Sequence, residues 1–110
     1  QSLRLTLDGL ERGDDQALSC FEQLFFVLPL EHAEDLGMQD RMVAYLDTWS
    51  KALPEGSKGM AQGVRDFAQL HRQVIARFGR FPTRNAALGR ASTPEEEAHI
   101  REAKAAGHPV

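Results

Sequence analysis

Two short stretches of this 110-residue chain gather the side chains that could do chemistry. The first is Pro29-Leu30-Glu31-His32-Ala33-Glu34-Asp35, followed by Gln39. It sets three carboxylates and an imidazole within five residues, the groups of general acid–base catalysis and of metal ligation. His32 and Asp35 stand three residues apart and would share one face of a helix. Against a metal, no second histidine stands at the four-residue spacing of helical metal motifs. Acids at a helix start are also favoured by the helix dipole alone. No metal and no cofactor are expected.

The second stretch is basic and aromatic. It runs from His71-Arg72 through Arg77-Phe78-Gly79-Arg80-Phe81-Pro82-Thr83-Arg84-Asn85 to Leu88-Gly89-Arg90. Arginines interleaved with Phe78 and Phe81 could grip a phosphate or carboxylate bidentately. The same interleaving could stack single-stranded bases. A sequence pI of about 5.8 and an otherwise acidic chain argue against nucleic acid. His71 falls on the apolar face of its helix and reads as a hydrogen-bonded structural histidine.

Charge is segregated along the chain. Residues 1–66 carry a net −6, residues 67–94 carry five arginines and no acid, and residues 95–110 return to −2. A basic block between acidic flanks is either one half of an internal ion-pair network or the landing site of an anion. The expected contact sets Glu31, Glu34 and Asp35 against Arg77, Arg80 and Arg84.

The elements that must position these groups are helical throughout. Leu3, Leu7 and Leu10 recur at helical spacing up to Gly13. Asp14 and Asp15 are read as the N-cap and first-turn acids of a second helix, whose stripe is Leu18, Phe21, Leu24, Phe25 and Leu28 and which ends at Pro29. Phe25–Leu30 is apolar on nearly every side, predicting deep burial. A third helix is expected over about 34–53, with Leu36, Met42, Val43, Leu46, Trp49 and Leu53 on one face. Residues 54–59 form the clearest loop. A fourth helix carries Val64, Phe67, His71, Val74, Ile75 and Phe78 up to Gly79 as C-cap. After an aperiodic stretch with at most a turn near 85–88, Ser92-Thr93-Pro94-Glu95-Glu96-Glu97 opens a fifth helix with a hydroxyl cap, proline and acids. Its only large apolar residue is Ile100, so residues 98–110 are expected to be a weakly anchored tail. Trp49, Phe67, Val74 and Phe78 are expected to share one core with Phe21 and Leu24. No strand pattern is present, and the fold class is all-α, an array of antiparallel helical hairpins of about five helices in all.

Several classes fall away. Cys20 is the only cysteine, so no intrachain disulfide or cysteine zinc site is available, and it reads as a buried apolar residue. No apolar run approaches the roughly 20 residues of a membrane span, and no signal-peptide pattern opens the chain. The expected setting is cytoplasmic. Residues 54–59 lack the strand and spacing of a phosphate loop, and Ser57 and Ser92 have no nucleophile context. The chain opens at Gln1 with the helical pattern already running at Leu3, which reads as a fragment.

The two motifs together resemble a bacterial family catalogued as domain-of-unknown-function family 924. The resemblance rests on residues 25–35, Gln39, residues 77–85 and Leu88-Gly89-Arg90, and continues into Ser92-Thr93-Pro94-Glu95-Glu96. It implies a tetratricopeptide-repeat-like helical array, of which this chain would be the C-terminal half. The family usually has serine where this chain has Ala33, and histidine where it has Thr83. It also has an N-terminal half, with its own arginine- and aspartate-bearing motif, that is absent here. No established activity comes with the resemblance.

Three roles fit these residues. A binding module for a peptide or protein partner ranks first. A small-anion or enzymatic site ranks second, built from Glu31, His32, Glu34, Asp35 and Gln39 with His71, Arg72, Arg77, Arg80, Arg84, Asn85 and Arg90. The third is an ion-pair network that only fixes the fold. Because Phe25–Leu30 is apolar around the whole helix, a second copy of the chain or the absent N-terminal half is expected to pack on helices one and two and cover it.

Overall fold

The computed structural model describes residues 2–108 and 110. Among them lie five α-helices and no strand: α1 (Ser2–Arg12), α2 (Cys20–Glu31), α3 (Leu36–Lys51), α4 (Lys58–Phe78) and α5 (Pro94–Ala106). The first four pack in chain order, α1 on α2, α2 on α3 and α3 on α4. With connections this short, neighbouring helices must double back on one another.

The caps explain where the helices begin. Asp14 and Asp15 do not start α2, as the sequence suggested; residues Asp14–Ala17 form a separate 3-10 turn. Ser19 caps α2 instead. Its hydroxyl accepts from the Glu22 amide at 3.3 Å, and the Glu22 carboxylate accepts from the Ser19 amide at 2.9 Å. That reciprocal pair satisfies two open donors of the first turn, which Asp14 could not do from outside it. Asp15 is buried elsewhere, accepting the Tyr45 hydroxyl at 2.7 Å. Pro29 does not end α2 either. Its ring forfeits the bond to the Phe25 carbonyl, yet the helix closes with the His32 amide on the Leu28 carbonyl at 3.1 Å. Asp35 starts α3 by accepting from the Met38 amide at 3.0 Å. The 54–59 loop is shorter than expected, because a 3-10 turn over Glu55–Ser57 leads straight into α4 at Lys58. Gly79 ends α4 in the left-handed region at φ 73°, as its sequence position predicted. Thr93 and Glu96 form the capping box of α5.

Packing departs from the sequence reading in two places. Within Phe25–Leu30 only Val27 and Leu30 are fully buried, while Phe25 is 75% exposed. Neighbouring helices meet only one side of α2, so an all-round apolar sequence leaves its far side bare. The single expected core is also two clusters. Trp49 and Leu24 join Val27, Leu30, Met42, Leu46, Leu53, Ala61 and Ala68, whereas Val74 and Phe78 join Ile75, Phe81 and Val110. Phe21 and Phe67 belong to neither and are exposed. Trp49 closes the first cluster with its indole N–H on the Cys20 carbonyl at 3.0 Å. Each fully buried Leu or Val there contributes roughly 1.5–3 kcal/mol of transfer energy. Gly9 lets α1 approach α2, since a Cβ there would lie 2.3 Å from the Phe26 ring. No helix among the described residues is long and apolar enough to cross a membrane.

Candidate functional site

The acidic motif straddles the turn between α2 and α3. His32 is the C-cap that follows α2 and Asp35 the N-cap of α3, so the two do not share a helix face as their spacing suggested. Gln39, in the first turns of α3, is fully buried and reaches back under this corner. Its amide N–H group donates to the carbonyls of Glu31 at 2.6 Å and Ala33 at 2.9 Å. The Glu31 carbonyl is an open end of α2 and the Ala33 carbonyl belongs to the turn that follows, and Gln39 closes both. Its Oε1 is buried without a partner among the described residues.

Glu34 is the fastening point for the arginine-rich segment. Its two oxygens accept from Arg90 Nη1 and Nη2, both at 2.9 Å, and one also accepts the Phe81 amide at 2.6 Å. The Arg90 hydrogen bonds, ahead of the Phe81 amide, hold the Glu34 carboxyl below its ordinary range. Arg90 in turn donates to the Phe81 carbonyl at 3.1 Å and to Asn85 Oδ1 at 3.0 Å, and Asn85 donates to Ser92 at 2.9 Å. The segment from Gly79 to Thr93 holds no α-helix and only a 3-10 turn over Pro82–Arg84, and this network ties it down. Phe81 is fully buried at its centre.

The remaining arginines go elsewhere. The expected contact between Arg77, Arg80 or Arg84 and the acids of the first motif is not made; Arg90 makes it. Arg80 instead forks onto Glu96 at 2.9 and 2.8 Å and donates to the Ala91 carbonyl at 2.8 Å. Glu96 also accepts the Thr93 amide, and these donors, Arg80 first, draw its carboxyl down to about 2. Glu96 is thus a site residue that its role as a capping acid concealed. Its position at the third residue of α5 was the available signal. Arg72 pairs with Asp40. Arg77 is exposed and stacks over Phe78 at 4.7 Å. Arg84 stacks over Phe81 at 4.5 Å and donates to the His32 carbonyl at 2.9 Å.

His71 is only 3% exposed, and its Nδ1 lies 2.8 Å from the Phe67 carbonyl. A carbonyl can only accept, so Nδ1 carries the proton and Nε2 keeps a lone pair. The ring meets Phe67 and Phe81 edge-on, at 4.6 and 5.6 Å, and lies 6.4 Å from the ring of His32. Burial holds both imidazoles below their ordinary range, and the Arg84 charge pushes the same way. Glu31 is 6% exposed and burial raises its carboxyl, with only His32 opposing. Among the described residues no three His, Cys, Asp or Glu side chains are placed to hold a metal ion.

A second surface lies beside this corner. Phe21, Phe25, Leu28 and His32 follow one another along α2 at the spacing of one helix face. Phe25, Leu28, Pro29, His32 and Ala33, with Ser2 and Leu3 of α1, line a shallow groove of about 400 Å³. Phe25 stands 75% exposed at this groove, and Phe21, one turn earlier on the same helix face and outside the groove, stands 59% exposed.

The family model described as bacterial proteins of unknown function, DUF924, matches residues 1–104. Among solved structures, a protein of unknown function from Agrobacterium tumefaciens, ATU0120, is 34% identical with a TM-score of 0.74. The match covers 92% of this chain and 51% of that one, so the chain spans about half the length of the solved relative. No curated protein matches.

Proposed function

The chain belongs to the bacterial family of unknown function DUF924, and from that premise we propose that it works as a helical binding module for a protein partner, with the outer face of α2 as the contact surface. The observation that carries this is Phe25, three-quarters exposed in the middle of the Phe21–Phe25–Leu28 stripe. Two neighbouring phenylalanines on one exposed helix face are a surface that water disfavours, and such contiguous patches mark interaction sites. The repeat-like character expected from the sequence belongs to the same reading, since stacked hairpins present faces of this kind.

The polar corner supports the module rather than competing with it. Arg80 and Arg90 are both committed bidentately to Glu96 and Glu34, so the pair best suited to hold a small anion is already occupied. Glu34, Phe81, Asn85 and Arg90 are a fastening that holds the 79–93 segment against the α2–α3 turn.

The test uses amphipathic helical peptides and amide chemical shifts of the whole chain. Shifts should cluster on residues 21–32 of α2 and vanish in the Phe21→Ser, Phe25→Ser double variant, whose thermal stability should be unchanged. Shifts that fall elsewhere, or survive the double change, would refute the assignment.

A further inference from the structure

Two clefts run along α4, and they treat charge in opposite ways. In the cleft toward α3 the charges are matched within the fold, Asp47 with Arg65 at 3.0 Å and Asp40 with Arg72. The cleft between α4 and α5 encloses about 350 Å³ over an apolar floor of Leu70, Val74, Phe78 and Ala103. Arg77 stands in its α4 wall and Glu102 in its α5 wall, yet neither makes an ion pair or a hydrogen bond with any described residue. The guanidinium is nonetheless held in place. It lies over the Phe78 ring at 4.7 Å, and that ring packs on His99 at 5.2 Å. His99 is fixed in turn, with Nε2 donating to the Val110 carbonyl. A further wall residue, His108, keeps a buried Nδ1 that has no partner among the described residues. Buried polar atoms in folded proteins nearly always have partners, so an orphan in a cavity wall calls for a group that arrives with a ligand.

One positive and one negative group are thus left open on opposite walls, and their charges cancel. A simple anion would be drawn to Arg77 and repelled by Glu102, and a simple cation would meet the reverse. A zwitterion is repelled by neither. We propose that this cleft binds a free α-amino acid with an apolar side chain. Its carboxylate forks onto Arg77, its ammonium lies on Glu102, and its side chain rests on the floor between Val74 and Phe78. Both charges of such a ligand sit on one carbon, with the apolar group on the same carbon free to point inward. The guanidinium suits the carboxylate because its paired N–H groups match the two oxygens. The volume falls within the roughly 300–1,000 Å³ of small-molecule pockets. The site is separate from the outer face of α2 and does not depend on a partner there.

Four compounds titrated into the intact chain take the ligand apart: L-phenylalanine, phenylpropionate without the ammonium, phenethylamine without the carboxylate, and glycine without the side chain. Amide and histidine-ring chemical shifts follow them. L-Phenylalanine should move the signals of residues 70–78 and 99–106 and of the His108 ring. Each of the other three should bind about three- to tenfold more weakly, the scale of one charged hydrogen bond in a partly open site. In Glu102→Gln, phenylpropionate should bind as well as L-phenylalanine, and in Arg77→Gln phenethylamine should do so. Both positions are exposed, and an unchanged melting temperature shows that the variants fold. If phenylpropionate or phenethylamine matches L-phenylalanine on the unaltered chain, the zwitterion ligand is overturned. Shifts confined to α2, or no shift with any of the four, overturn the site itself.

Discussion

Replacing Arg90 with methionine probes the fastening between the arginine segment and the α2–α3 turn. The change keeps most of the side-chain volume and removes four donations: two to Glu34, one to the Phe81 carbonyl and one to Asn85. The magnitude lies between two limits. A solvent-exposed ion pair contributes about 0–1 kcal/mol, and breaking a fully buried one costs about 3–5 kcal/mol. Arg90 and Glu34 are each 24% exposed, closer to the buried limit, and the pair is bidentate. Glu34 also keeps the Phe81 amide after the change, which softens the loss. The expected cost is about 2–3 kcal/mol, or roughly 8–15 °C in melting temperature for a domain of this size. Urea titration followed by Trp49 fluorescence measures it, because Trp49 is buried in the other core cluster and reports global unfolding. A double-mutant cycle with Glu34→Gln should return a coupling of about 1–2 kcal/mol. Amide exchange adds a local readout, since the Phe81 N–H should lose protection when its Glu34 acceptor is freed to move. A cost below about 0.5 kcal/mol with unchanged Phe81 exchange would show that the segment is held by packing alone.

Other expectations follow from the same geometry. Phe25→Ser should change stability by less than about 0.5 kcal/mol, whereas Leu30→Ala, five residues on, should cost about 2–5 kcal/mol in the same urea titration. Gly79→Ala should cost about 1 kcal/mol through backbone strain alone, because φ is 73° and open space surrounds the position. Acid sensitivity has a defined sign. Glu96, at about 2, and Glu34 bind protons more weakly folded than unfolded, so their contribution is full above the ordinary 4.5 and is lost as pH falls through their folded values. Glu96→Gln should flatten the stability profile between pH 4.5 and about 2. His71 is lowered from 6.5, so its neutral burial supports the fold above 6.5 and begins to be lost below it; His71→Phe should remove that shoulder.

Helix existence was legible in the sequence because the apolar spacing of Leu3, Leu7 and Leu10, and of Val74, Ile75 and Phe78, is a local signal. Thr93, Pro94 and Gly79 announced their caps for the same reason. What spacing does not carry is which face meets a neighbour. Phe21, Phe25 and Phe67 look like core by residue type, and only the placement of the adjoining helices leaves them in water. The partner of Glu34 was hidden by competition among five chemically identical guanidiniums. Arg90 wins because the 79–85 turn brings it back over Phe81, a geometry set by non-repeating backbone. Ser19 was missed because Asp14 and Asp15 offered a louder cap signal, while the capping box is a pairing of Ser19 with Glu22.

The fastening at Glu34 also bears on the order in which the molecule assembles. Contacts of α1 with α2, and of α3 with α4, join stretches that are near one another in the chain, whereas Glu34 and Arg90 are 56 residues apart. Closing so long a loop costs entropy before any hydrogen bond rewards it, and contacts of this range slow folding. The helical hairpins are therefore expected to form first, with the segment from Gly79 onward docking onto them, an order that pulsed amide exchange would test. Run backwards, the same asymmetry makes release of that segment the cheapest partial opening. α5 would leave with it, carrying away the second core cluster's Phe81 while Trp49 and its neighbours stay packed.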